Sequence, residues 1–504
     1  MPTRISGLLV LLFMLGIALS SQTLTGGIDQ PWVLVFANLL AGYVALNIGA
    51  NDAGNNIGPL VGSAVIRLGV AMLLAAVFEM GGALLAGDGV ISTIKQGIVD
   101  RQLLGDHQAI IKVMLSAMLA SALWLHAASL SRTPVSTTHT IVGGVLGAAI
   151  AVGGTLVINW KLLGAITISW LVSPLLGSLI AALLLYLIKR TITYQTDMSK
   201  AAETVVPLLV GFMAWSFTSY LLIKGLKTSW HVDLSTALLC GLSVGTGVYL
   251  ISKPTIKQRT ALLPNTKSAV NRHFNLPLLL AASLLSFAHG SNDVANAIGP
   301  LIAVREALEQ TSDSAAPGLA TWLLLIGAIG IPLGLVLFGK RLITTLASEI
   351  TELDQVRAFC IVTSVTITVL LASQLGIPVS STHTAVGAIF GIGFLREILK
   401  TRYAVNLEMI RRHKKGLDEE EIETFIARFN ASSFREKGQL LKQISQSENR
   451  PISKKDRKGL EKLYRRELVT RSTFRRIILA WFITLPVTGS LASMLYLIMD
   501  ALWG

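Results

Sequence analysis

Two short polar patterns stand inside otherwise apolar stretches of the chain, and each occurs twice. Gly49-Ala50-Asn51-Asp52-Ala53-Gly54-Asn55-Asn56-Ile57-Gly58-Pro59-Leu60 returns as Gly290-Ser291-Asn292-Asp293-Val294-Ala295-Asn296-Ala297-Ile298-Gly299-Pro300-Leu301, with eight of twelve positions identical. Pro134-Val135-Ser136-Thr137-Thr138-His139-Thr140 returns as Pro378-Val379-Ser380-Ser381-Thr382-His383-Thr384, with six of seven identical. A weaker third match pairs Gly87 and Thr93 with Gly339 and Thr345. The same two chemistries in the same order mark an internal duplication.

The residue types say what such a duplication could do. An aspartate in apolar surroundings is costly and marks function by default. Asp52 and Asp293, with the amides of Asn51, Asn55, Asn292 and Asn296, offer oxygen ligands for a hard cation such as Na⁺. Ser136, Thr137, Thr138 and Ser380, Ser381, Thr382 follow prolines at expected helix starts. Their hydroxyls, with the free N–H groups of a helix N-terminus, suit a tetrahedral oxyanion. No basic residue lies in these motifs, so an anion here would be held by neutral donors and co-bound cations. The plainer readings are N-capping for the hydroxyls, satisfied helix ends for the aspartates, and hydrogen-bonded orienters for His139 and His383. Glu79, alone in an apolar run, is a coupling or gating carboxylate or a structural polar contact.

What must position these residues follows from composition. Of 504 residues, 52 % are hydrophobic and only 14 % charged, and mean hydropathy is +0.62. Soluble domains carry about 25 % charge, so a soluble enzyme and a disordered chain are both excluded. The apolar runs are longer than the roughly ten-residue strands of a barrel. The chain reads as an all-α polytopic membrane protein with about twelve transmembrane helices. They are expected near 32–66, 69–87, 109–131, 135–153, 162–187, 204–223, 233–251, 276–303, 317–338, 356–374, 378–395 and 475–499. The first and eighth carry the Asn-Asp motifs and are expected to be interrupted there, because Gly49, Gly54, Gly58 and Pro59 weaken a helix and unwound backbone can line a cavity.

Basic residues orient the scheme. Of the net charge of +14, residues 396–476 carry 22 Lys+Arg against 12 Asp+Glu, which reads as cytoplasmic loop charge and not as nucleic-acid binding. Residues 1–30 form a signal peptide or an extra N-terminal span, with Ala18-Leu19-Ser20 a cleavage candidate. The remaining units are a first transport repeat (31–203), linking spans with a basic cytoplasmic loop (204–274), a second transport repeat (275–395), a basic cytoplasmic insertion (396–474) and a last transmembrane helix (475–504). The insertion contains apolar Ile422, Phe425, Ile426 and Phe429 at helical spacing; it is a solvated loop or a regulatory element. Cys240 and Cys360 lie in separate apolar runs and read as buried small hydrophobes. In this scheme the first motif copy enters from outside and the second from inside, an inverted-topology repeat of the kind found in secondary transporters.

The motifs resemble those of the PiT family of inorganic phosphate transporters. Gly49–Asn55 and Gly290–Asn296 match the family's GANDVANA-like signature in both halves, supported by Pro134–His139, Pro378–His383 and Phe78-Glu79. The resemblance spans roughly 31–395 and the last helix. It implies import of phosphate by symport with Na⁺ or H⁺, often by a homodimer. Membrane lipid is the expected surrounding, a signal-like N-terminus on one short chain fits a bacterial inner membrane, and no cofactor is expected beyond the coupling ion. It assigns Asn51, Asp52, Asn55, Asn292, Asp293 and Asn296 as substrate or cation ligands, the six hydroxyl residues as oxyanion donors, and Glu79 as an essential carboxylate. The chain departs from the family in two places. Many Na⁺-dependent members carry a glutamate where Val362 stands, and Ala53-Gly54 and Asn56 replace Val-Ala and Ala. Rival readings are a permease for sulfate, a passive anion channel, and an intramembrane Ser/His hydrolase. The last lacks any orienting acid or oxyanion hole near Ser136 and His139.

Overall fold

The structure is a computed structural model that describes residues 3–22, 28, 30–224, 232–309, 317–340, 342–344, 353–413, 424 and 471–503. It is almost wholly helical. In chain order the helices are α1 (Thr3–Gln22), α2 (Pro31–Gly62), α3 (Leu68–Ala86), α4 (Asp88–Gln96), α5 (Arg101–Leu104), α6 (His107–Leu130), α7 (Thr137–Gly153), α8 (Trp160–Ile188), α9 (Met198–Lys224), α10 (Leu234–Ala261), α11 (Lys267–His273), α12 (Asn275–Glu309), α13 (Pro317–Phe338), α14 (Gln355–Gln374), α15 (Ser381–His413) and α16 (Arg471–Trp503). The helical pattern around Ile422–Phe429, and Thr345, fall outside the described residues.

Among the described residues eleven helices are long and apolar enough to cross a bilayer, twelve if α11 and α12, bent by 43° at their junction, count as one span. α1 is one of them. It packs on α2, where Asn38 Nδ2 donates to Ser21 Oγ at 3.0 Å, and Ala18–Ser20 lies within it. The expected span at 378–395 is the first half of α15, which continues past Arg396 and Glu397, both buried.

One expectation is corrected. α2 and α12 run unbroken through both Asn-Asp motifs, over 32 and 35 residues. In a low-dielectric core every backbone group dropped from a helix must find another partner, so the glycines serve packing instead of unwinding. A β-carbon at Gly49 would run into the carbonyl of Ile331, and one at Gly290 into that of Glu79. The breaks fall one element later, before the serine motifs. There α6 and α14 end in matched left-handed caps, Arg132 at φ +57° and Gly376 at φ +69°. In each cap an N–H reaches back five residues, Thr133 to Ala128 and Ile377 to Ala372, both at 3.0 Å. A short extended segment then carries the chain to α7 or α15.

The packing is duplicated as the sequence is. α3 lies on α12 as α13 lies on α2: Gly82 meets the Phe287 carbonyl, and Gly334 meets that of Leu46. α16 lies on α7 as α8 lies on α15: Gly147 meets Gly489, and Gly391 meets Ser178. The last helix therefore stands to the first serine-motif helix as α8 stands to the second. α9 and α10 form a hairpin at the side of this body.

Candidate functional site

The four motif copies converge at the centre of the helical body. α2 and α12 supply the Asn-Asp faces, and the starts of α7 and α15 supply the hydroxyls. All twelve residues named from the sequence, and Glu79, are buried. The two asparagines that open each motif do the same structural work. Asn51 Nδ2 donates to the Val135 carbonyl at 2.8 Å, and Asn292 Nδ2 to that of Val379 at 2.9 Å. Each also donates to the neighbouring carboxylate, Asn51 to Asp52 Oδ1 at 3.1 Å and Asn292 to Asp293 Oδ1 at 2.5 Å. Each Asn-Asp pair is thus tied to the extended segment that delivers its own repeat's serine motif.

The carboxylates then meet across the repeats. The Thr137 hydroxyl lies 3.0 Å from Asp52 Oδ2 and 3.2 Å from Asp293 Oδ2. A hydroxyl has one hydrogen to donate, so it serves one carboxylate at a time. Two buried carboxylates at one hydroxyl repel each other unless a cation or proton lies between them. Thr382 Oγ1 reaches Asp52 Oδ1 at 3.3 Å and accepts from Asn55 Nδ2 at 2.8 Å. Asn296 Nδ2 donates to Thr137 Oγ1 at 3.4 Å, and Thr138 Oγ1 to the Val379 carbonyl at 3.1 Å.

Capping accounts for part of the serine motifs, as the plainer reading expected. Ser136 Oγ accepts from the His139 N–H and Ser380 Oγ from the His383 N–H, both at 3.1 Å. The hydrogens of these hydroxyls remain for another acceptor. Ser381 Oγ, Asn51 Oδ1, Asn292 Oδ1, Asn296 Oδ1 and Glu79 Oε2 are buried without a hydrogen-bond partner among the described residues. Orphaned buried polar atoms are costly. Clustered like this they mark a place made for a polar ligand.

Three further features complete the site, and in them His289, Trp170 and Trp481 were not singled out from the sequence. The first is His289. Its Nδ1 lies 2.9 Å from Glu79 Oε1, and its Nε2 lies 3.0 Å from Asp293 Oδ2 and 3.6 Å from Asp52 Oδ2. The ligand atoms of Asp52, His289 and Asp293 all lie within 4.8 Å of one another. The second is Asn56, whose Nδ2 donates to Glu79 Oε1 at 2.6 Å. A readable signal existed for His289: it sits one helical turn before Asp293, on the same face. Asn56 carried only the fact that it replaces an alanine. Matched packing places Ile48, Ala297 and Ile331 where His289, Asn56 and Glu79 stand in the other half, and all three are buried and apolar. The carboxylate cluster is therefore one-sided. Val362, where the resemblance leads us to expect a second glutamate, is fully buried in an apolar cluster. Thr93 lies apart, its hydroxyl donating to the Gly376 carbonyl at 2.6 Å. The third feature is a ring cluster: His139 against Trp170 (centroids 3.8 Å), His383 against Trp481 (3.7 Å), and the two histidines against each other; the expected hydrogen-bonded orienters instead have ring nitrogens buried without a hydrogen-bond partner among the described residues.

The family model described as the phosphate transporter family matches residues 48–492. The chain belongs to the phosphate transporter family. A Helicobacter pylori protein that bears the name phosphate permease is 46 % identical over 499 residues, covering 97 % of this chain and 94 % of that protein. One of the same name from Chlamydia trachomatis is 37 % identical over 406 residues, covering 75 % and 93 %. A solved structure described as the sodium-dependent phosphate transporter superposes with a TM-score of 0.75 at 28 % identity, over 93 % of this chain and 99 % of that one. This member of the phosphate transporter family is an integral membrane protein, and its bacterial relatives fit a bacterial plasma membrane.

Proposed function

We propose that the protein imports inorganic phosphate by symport with a cation, Na⁺ before H⁺, through alternating access of two inverted repeats. The observation that carries this reading is the meeting of Asp52 and Asp293, one from each repeat, at the Thr137 hydroxyl. A cation between them relieves their repulsion and adds the positive charge that an anion needs in a site without Lys or Arg. Oxygen ligands from carboxylates and amides suit a hard cation such as Na⁺. The hydroxyls of Ser136, Ser380 and Ser381, at the starts of α7 and α15, then donate to the phosphate oxygens, helped by the positive ends of those helices. The name of the H. pylori relative supports the substrate, and the sodium dependence of the superposed transporter supports the ion.

The coupling logic follows from charge. An empty site holds two facing carboxylates and repels phosphate. A cation-loaded site does not, so the anion binds after or with the cation, and the inward cation gradient draws it in. Because each Asn-Asp pair is tied to its own serine segment, each repeat moves as one body, and relative rocking of the two opens the site to alternate sides.

The test is radiolabelled phosphate uptake into proteoliposomes under an inward Na⁺ gradient, then under a proton gradient, with excess unlabelled sulfate as competitor. Accumulation driven by Na⁺ and unaffected by sulfate is the expected result. Accumulation with protons alone keeps the substrate and changes the ion. Sulfate uptake in place of phosphate overturns the substrate, and equilibration without accumulation overturns symport.

A further inference from the structure

The α9–α10 hairpin leaves a trough where it faces α11 and α12. The trough holds about 210 Å³. Its walls are apolar, with Val210 from α9, Val248 and Ile256 from α10, and Leu280 from α12. Arg259 and His273 line it too. His273 is buried, its Nε2 3.4 Å from Thr260 Oγ1. Arg259 is exposed and forms no ion pair with a described residue. Along α10 and α11 the charge has one sign. Residues 250–274 contain Lys253, Lys257, Arg259, Lys267 and Arg272 and no Asp or Glu. The acidic side chain facing His273 comes from α9, Glu203.

We propose that this trough binds an anionic phospholipid, one acyl chain lying along Val248, Ile256 and Leu280 and the headgroup phosphate on Arg259. An apolar slot in a membrane helix pair is filled by the surrounding solvent, which is lipid. What selects among lipids is the polar end. A guanidinium matches a phosphate diester with two parallel hydrogen bonds, and the five cations of 250–274, set against Glu203 of α9, favour a headgroup with net negative charge over a zwitterion. The lipid joins the peripheral hairpin to α12, the helix that carries Asn292, Asp293 and Asn296, so it braces the element that presents half of the transport site.

The experiment uses the full chain purified in detergent with saturating inorganic phosphate present throughout, so that stabilisation by free phosphate is already complete. Phosphatidylglycerol or phosphatidylcholine is added, and bound lipid is counted by native mass spectrometry alongside the thermal unfolding midpoint. Phosphatidylglycerol is expected to remain bound and to raise the midpoint, and phosphatidylcholine to do neither. Arg259→Gln is expected to weaken phosphatidylglycerol binding about fivefold. Val248→Trp, which fills the trough and keeps the arginine, is expected to expel the lipid. Equal effects of the two lipids, no lipid effect beyond that of phosphate, or unchanged binding in both variants overturns the proposal. So does a Val248→Trp variant that splits a dimer without changing lipid content, since the trough is then covered by a second copy of the chain.

Discussion

His139 and His383 meet edge to face, ring centroids 4.4 Å apart at an interplanar angle of 87°. Each comes from the first turn of a serine-motif helix, one in each repeat, so the contact joins the repeats beside the candidate site. Trp170 and Trp481 pack against them. The rings serve as aromatic surface. His383→Phe is therefore expected to keep uptake within a few-fold of the parent, whereas His383→Ala opens a cavity and lowers stability by about 2 kcal/mol. Thermal unfolding and phosphate uptake measured on both variants check this. A Phe variant that unfolds normally but does not transport would show that an imidazole nitrogen is needed.

Asp52→Asn and Asp293→Asn remove one negative charge each while keeping shape. Both are expected to cut Na⁺-driven uptake at least a hundredfold, with normal amounts of protein in the membrane. Uptake at the parent rate in both variants would dismiss the paired carboxylates as the coupling site.

Glu79 meets Asn56 and His289 in one half of the molecule, where the other half has Ile331, Ala297 and Ile48. Glu79→Gln removes the charge and leaves an amide of the same size. A hydrogen bond to a charged group contributes about 1.5–3 kcal/mol, so a rise of about tenfold or more in the Na⁺ concentration for half-maximal uptake is expected. Asn56→Ala is expected to shift the same quantity less. An unchanged Na⁺ dependence in both would assign Glu79 a purely structural role.

Gly290 lets the Glu79 carbonyl approach the backbone of α12. Gly290→Ala must push α3 and α12 apart, at a cost of about 1–3 kcal/mol, and carries Glu79 away from His289. Uptake is expected to fall more steeply than stability. The matched substitution Gly49→Ala separates α2 from α13, where the facing residue is Ile331, and is expected to destabilise with a smaller loss of transport per unit of stability. Parallel unfolding and uptake measurements on the pair separate packing from site geometry.

Much of this was open to reading along the chain. Apolar runs of bilayer length defined a polytopic helical membrane protein, because a span must satisfy its own backbone and hide few charges. The doubled Asn-Asp and Ser-Thr motifs named the residues that now stand together, since both copies kept the same polar types in apolar surroundings. Local pattern was a poor guide to helix integrity. Gly49, Gly54 and Pro59 read as a break, yet the helix persists because α13 packs closely on it, and packing between distant elements has no local signature.

The partners across the repeats were decided by tertiary structure alone. His289 reaches Glu79 from a helix more than two hundred residues away, Trp481 arrives beyond the long insertion, and Thr137 of the first repeat sits between an aspartate of its own half and one of the other. Composition and spacing are local properties and name the polar groups. Which carboxylates face each other, which glutamate has an apolar counterpart, and which hydroxyl bridges the halves depend on the angle at which one repeat packs against the other. That angle is set by the many small contacts between helices, among them close approaches at glycines whose missing side chains say only that something comes close.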